Sequence, residues 1–172
     1  MNNIEKVSPK MIVEHLDKLG NGNCYGNIVE LGLYPGAFGF NYYLVEITES
    51  AFYGLVFQHS TSLSGLVPDP QDRPLKIAAQ NALIVLLSKQ KLNSNWDLED
   101  IVKKTTEWLD KSIPLPALAL RDSRGSELET GKWYLQDGCH RALGYAMVMQ
   151  RDGLVYKPVK AYIATKTILN IK

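Results

Sequence analysis

Asp137, Gly138, Cys139, His140 and Arg141 stand in a row between the strand-like run Lys132-Trp133-Tyr134-Leu135-Gln136 and an amphipathic stretch that opens at Ala142-Leu143. A glycine at a strand-to-helix junction permits a tight turn and close backbone approach, and the first turn of the helix offers unpaired N–H groups to an anion. His140 and Arg141 add donors and charge at the same place. Two cations at the positive end of a helix are unfavourable unless an anion offsets them. That anion is a bound phosphate in one reading and Asp137 in the other. Asp137 has a further option, to hold Mg²⁺ or accept a proton from a substrate hydroxyl, as acidic residues do in phosphoryl transfer. Cys139 also has two readings. It is a buried inert thiol, or a nucleophile whose thiolate the helix dipole and the neighbouring Arg and His favour.

The elements that must position this row follow from the rest of the chain. Ser8-Pro9 signals a helix start, and Met11, Ile12, His15, Leu16 and Leu19 recur at helical spacing until Gly20. His15 lies on that apolar stripe and is expected to pack. Residues 20–27 form a turn-rich segment, 28–33 suit a short strand, and 34–39 form a second turn-rich segment. The aromatic and β-branched runs 42–47 and 51–57, separated by Thr48-Glu49-Ser50, predict a β-hairpin. The hydroxyl-rich loop 59–65 is a secondary phosphate-site candidate. A helix from Asp72 to about Lys89 is apolar over so much of its circumference that it is expected to be the buried central helix. Ser94-Asn95-Trp96-Asp97 opens another, with a stripe of Leu98, Ile101, Val102, Thr105 and Leu109, stopped by Pro114 and Pro116. A strand over 113–120, a charged loop over 121–131, the strand and helix of the Asp137–Arg141 row and a last strand over 158–163 complete the order.

The chain has 172 residues and is 45% hydrophobic, enough for one compact domain over 1–172 with a full core. Nineteen Lys and Arg against 18 Asp and Glu leave a net charge of +1, which gives no global field toward nucleic acid or an anionic membrane. The cysteines, Cys24 and Cys139, are in unlike contexts and suggest neither a disulfide framework nor a metal cluster. No secretory block or membrane-length apolar run is present, so a cytoplasmic protein is expected.

Gly138-Cys139-His140-Arg141 is similar to the signature of sulfiredoxins and to the Gly-x-x-Arg turn of ParB-type domains. The order of elements agrees: helix 98–109, Pro-led strand 113–120, a strand into the glycine turn, a helix with Ala142 and Ala146, and a Pro-led strand 158–164. Over roughly 95–165 the chain therefore resembles the ParB/sulfiredoxin superfamily. The resemblance implies an α/β (α+β) fold, a small mixed sheet packed with helices. It divides the chain into a 93–165 core and a 1–92 N-terminal elaboration of helix, hairpin and buried helix. It also implies nucleotide phosphates, ATP above all, cradled by Gly138, Cys139, His140 and Arg141, with Cys139 at the position of the catalytic cysteine of sulfiredoxins. Together with the reading of the residues this gives Asp137, Cys139 and His140 as the expected catalytic residues, ATP and Mg²⁺ as cofactors, and Asp137 as the metal ligand.

Asp137 stands where sulfiredoxins carry a glycine, which makes the turn more similar to that of free serine kinases and other small-molecule phosphotransferases of the superfamily. Residues 1–90 find no sulfiredoxin counterpart, and sulfiredoxins carry an Arg-Pro-Leu-Pro segment ahead of their helix, whereas Arg73-Pro74-Leu75 here opens a long helix at a different place. Repair of sulfinic acid is not expected, nor is chromosome partition, which uses a further helix-turn-helix module. The expectation is an ATP-binding phosphotransferase or ATPase with a small-molecule or protein acceptor. The alternatives are a plasmid-type nuclease acting on DNA, and a non-catalytic interaction domain that presents the aromatic 42–57 hairpin to a partner.

Overall fold

The computed structural model describes residues 1–22, 24–57, 66–67, 73–90, 96–122, 133–166 and 168–169. The expected loop 59–65, the helix start at Asp72, Ser94-Asn95 and the loop beyond Asp122 lie outside the described residues. Twelve elements follow in order: β1 (Asn2–Lys6), α1 (Pro9–Lys18), α2 (Tyr25–Glu30), β2 (Asn41–Ile47), α3 (Glu49–Tyr53), β3 (Val56–Phe57), α4 (Leu75–Ser88), α5 (Leu98–Asp110), β4 (Leu118–Asp122), β5 (Trp133–Asp137), α6 (Cys139–Asp152) and β6 (Val159–Thr165). The class is mixed α/β, with one six-stranded mixed sheet in the order β1-β2-β6-β4-β5-β3.

Strand alternation builds two layers of core, because successive side chains of a strand point to opposite faces. Tyr43, Val45 and Ile47 of β2, Leu118 and Leu120 of β4, Leu135 of β5 and Val159, Ala161 and Ile163 of β6 face α4, α5 and α6. Tyr42, Ala119 and Ala164, from the intervening positions, pack with Ile12 and Leu16 of α1 and with Leu31. The sheet centre, β6-β4-β5, joins β4 to β6 in parallel and to β5 antiparallel. The N-terminal half adds β1 and β2 to one edge and β3, parallel to β5, to the other.

Several local expectations hold. Pro9 occupies the first turn of α1. The Asp97 side chain accepts the Asp100 N–H at 3.0 Å and caps α5. Others are corrected. The 42–57 hairpin does not form: β2 pairs with β1 and β6, and the second run folds as α3 followed by the two-residue β3 on the far edge. Thr48 starts the helix by accepting the Phe52 N–H at 2.8 Å, and Phe52, fully buried, meets the Tyr145 and Tyr156 rings. An aromatic run satisfies a strand pattern and a buried helical turn equally well, and tertiary packing decides between them. Of the aromatics in 42–57, Tyr42, Tyr43, Phe52 and Phe57 are buried in the core and Tyr53 is half-buried, so they form no exposed aromatic face.

Residues 28–33 form no strand, because α2 runs through Glu30 and turns at Gly32, whose φ of 63° is cheap only for glycine. The expected strand over 113–120 starts only at Leu118, since Pro114 and Pro116 have no N–H for a ladder. The most buried helix is α6, with 142–149 all buried, whereas α4 leaves Ile84 and Leu87 63% and 75% exposed. β1 carries no alternating signal, being exposed at all but Ile4.

Candidate functional site

β5 delivers Asp137 to the sheet end, and Gly138 turns the chain at φ 89°, ψ 20° into the 14-residue α6. No side chain caps that helix start. A Cβ at 138 would stand 2.6 Å from Leu118 and 2.8 Å from Arg141 Nη2, so the guanidinium lies directly over the glycine. Asp137 is buried, and both its oxygens are engaged. Oδ2 accepts from Arg141 Nη2 at 2.8 Å, and Oδ1 accepts from Asn21 Nδ2 at 2.7 Å. Arg141 Nη2 also reaches Ala117 O at 3.4 Å, the same carbonyl that His15 Nε2 meets at 2.8 Å. Arg141 Nε is buried and, among the described residues, has no hydrogen-bond partner.

The residues expected at the site are thus side by side, but two of their expected states change. Burial first, and then the Arg141 and Lys104 charges, push the His140 imidazole below its ordinary value. Its ring stands edge-on to Trp96 with centroids 4.1 Å apart. The residue as a whole is exposed, but this partial desolvation of its ring favours the neutral form, which leaves Arg141, offset by Asp137, as the fixed cation of the turn. The argument from two uncompensated cations falls away. Cys139 also departs from expectation. Burial, aided by the Asp137 charge, pushes its thiol up to about 12, and Sγ points toward Leu135 O at 3.7 Å. Desolvation outweighs the helix dipole, so Cys139 is a thiol and not a thiolate.

The turn-rich segment 20–27 is the part of the site that sequence reasoning missed. It lies against the 137–141 turn through the Asn21 bond to Asp137 and through Gln136 Nε2, which donates to Asn27 Oδ1 at 3.3 Å. Asn27 is 3% exposed at the start of α2, and Gln136 Oε1 is buried without a partner. The Gly-Asn-Gly-Asn run at 20–23 was the available signal, since amides and glycines in a turn can serve a neighbouring site as well as their own backbone. His15, expected only to pack, also lends a ring nitrogen to the Ala117 carbonyl.

Asp137 as a metal ligand faces competition from the Arg141 guanidinium and the Asn21 amide. Among the described residues no group of three or more His, Cys, Asp or Glu side chains comes together to hold a metal ion, so a cation there would take its remaining ligands from phosphate and water. Among the described residues no helix is long and apolar enough to cross a membrane. No family model, curated protein or solved structure matches the chain.

Proposed function

We propose that the chain is a nucleotide-binding enzyme of ParB/sulfiredoxin type that holds the phosphates of ATP at the 137–141 turn and hydrolyses or transfers the terminal phosphoryl group. The observation that carries this reading is the uncapped, glycine-led start of α6 with Arg141 laid across it. The first-turn N–H groups and the helix dipole offer an anion site, and the guanidinium has a buried N–H with no partner among the described residues.

In this reading Asp137 is a positioning residue that holds Arg141 in place, aided by Asn21. Gly138 admits the phosphate to the backbone, and Cys139 contributes only its backbone N–H. A neutral His140 suits donation of a hydrogen bond or acceptance of a proton from the attacking hydroxyl or water better than charge stabilisation. Mg²⁺ would enter with the nucleotide, held by its phosphates and water. Asn21 and Asn27, which bond Asp137 and Gln136, are the first place to look for acceptor contacts.

Calorimetric titration with ATP and Mg²⁺, beside the Arg141→Ala variant, tests the reading. A charge-assisted hydrogen bond is worth about 1.5–3 kcal/mol, so the variant should bind roughly 10- to 100-fold more weakly. Absence of heat with ATP, CTP and GTP alike would refute nucleotide binding. Salt-sensitive binding of DNA in place of nucleotide would move the same turn to a backbone phosphate.

A further inference from the structure

Arg141, the cation of the 137–141 turn, is held from the N-terminal half of the chain. Its Nη2 meets two acceptors, Asp137 Oδ2 at 2.8 Å and Ala117 O at 3.4 Å. Each acceptor is bonded in turn by a residue of α1 or of its end. Asn21 Nδ2 donates to Asp137 Oδ1 at 2.7 Å, and His15 Nε2 meets Ala117 O at 2.8 Å. A carbonyl only accepts, so His15 Nε2 carries the proton of that bond.

The two α1 residues form one piece. The Gly20 N–H bonds Asp17 O at 3.0 Å and the Asn21 N–H bonds Leu16 O at 2.8 Å, with Gly20 left-handed at φ 76°. These paired bonds close a helix C-terminus and fix Asn21 to the last turn of the helix that carries His15. Ile12 and Leu16, both fully buried, seat that helix in the core beside Ala119. The His15 ring leans on Tyr162 of β6 with centroids 5.0 Å apart.

The sheet supplies the other half of the match. Leu120 pairs with Leu135 and Ala119 with Asp137, so β5 carries one extra residue, Gln136, against β4. A bulge of this kind re-aims side chains and is over-represented beside active sites. Leu135 faces α4, α5 and α6, whereas Gln136 and Asp137 both turn to the α1 and α2 side, where Asn27 and Asn21 meet them. A regular strand alternates and would present only one of those two side chains there.

We propose that α1 with its Gly20–Asn21 end is a brace for the phosphate site, in which His15 and Asn21 are positioning residues that fix the Arg141 guanidinium through Ala117 and Asp137. This rests on the reading of the 137–141 turn as a phosphate site, and it gives the N-terminal elaboration a share in that site. Both residues act through Arg141 and not on the phosphate itself. An arginine side chain has much rotamer freedom to lose, and one oriented in advance meets an anion without losing it on binding.

The test is calorimetric titration of the full chain with ATP and Mg²⁺ for Asn21→Ala, His15→Phe and His15→Gln, each also in an Arg141→Ala background. Asn21→Ala and His15→Phe, which keeps a ring against Tyr162, should each weaken ATP roughly three- to tenfold, the worth of one hydrogen bond. His15→Gln, whose amide N–H can take the place of ring Nε2, should bind as the native chain does, a rescue that a packing role would not give. In the Arg141→Ala background both losses should vanish, because the brace has nothing left to hold. Undiminished affinity in both variants, or equal losses with and without Arg141, would overturn the brace. A second readout needs no nucleotide. In the free protein the Arg141 Nε–H proton should exchange with water at least about tenfold faster in the Asn21→Ala/His15→Phe double variant, read by NMR. An unchanged exchange rate would overturn the brace even where ATP binds. Faster exchange in a chain that binds no nucleotide would support the hold on Arg141 and refute the phosphate reading alone.

Discussion

Gly138 and Gly153 flank the same helix, both at positive φ, and comparing Ala at each isolates what the turn does beyond its backbone shape. Gly153, at φ 62°, has nothing within 4 Å of the position a Cβ would take. Gly153→Ala therefore costs only left-handed strain, about 1 kcal/mol. Gly138 stands at φ 89°, and its Cβ would press on Leu118 at 2.6 Å and Arg141 Nη2 at 2.8 Å. Strain of about 1 kcal/mol is joined by overpacking of about 1–3 kcal/mol, because Leu118 is 1% exposed and has no room to yield. Pushing the guanidinium off Asp137 adds to the loss, since it leaves a buried carboxylate with only Asn21. Gly138→Ala should thus lose about 3 kcal/mol or more and Gly153→Ala about 1 kcal/mol. For a chain of this size that separates their melting temperatures by roughly 4–8 °C. Urea unfolding followed by circular dichroism reads the difference. Equal losses at the two sites would refute the claim that Arg141 and Leu118 close over the turn.

Iodoacetamide near pH 8 should modify exposed Cys24 well before the half-buried Cys139, whose thiol is pushed up to about 12; mass mapping that finds Cys139 labelled first would contradict the desolvation of its Sγ. Cys139→Ser should accordingly keep any nucleotide binding or turnover the native protein shows. The His140 ring should titrate below 6.5 by NMR. Its folded value lies under its unfolded one, so its stability contribution is complete above about 6.5 and is lost as pH falls through the folded value; His140→Gln should flatten that acid limb of the stability profile. Gly144→Ala should destabilise by about 1–3 kcal/mol, because a Cβ there would run into Thr105 Oγ1 and Ile101 where α5 and α6 touch, and an unchanged urea midpoint would mean the helices have slack.

Much of the site was legible at the level of backbone. Asp-Gly between a strand-like run and an amphipathic run announced the turn, and Gly138 does take the left-handed conformation. The charge states were not legible. A cysteine and a histidine beside an arginine at a helix start suggest a thiolate and a second cation, yet desolvation keeps Cys139 a thiol and shifts His140 toward its neutral form. Desolvation depends on what covers a residue, and Trp96, which covers His140, sits far away in sequence. The 51–57 run shows the same limit in the fold, because its aromatics fit a strand pattern until Phe52 is seen inserted between α6 and the chain beyond it.

The sequence by itself determined the features that act over a few residues: the proline at the start of α1, the aspartate cap of α5, the prolines that delay β4, and the glycine that opens α6, whereas the Ser8 side chain makes no capping bond. Each is set by local dihedral limits or by a side chain bonding its own backbone. Only the tertiary structure decided strand neighbours, helix burial and the company Asp137 keeps. Asn21 reaches it across 116 residues, and Gln136 meets Asn27 across 109. The free energy of such contacts comes from desolvation and pairing between segments that no local preference links, so they are settled only when the whole sheet closes.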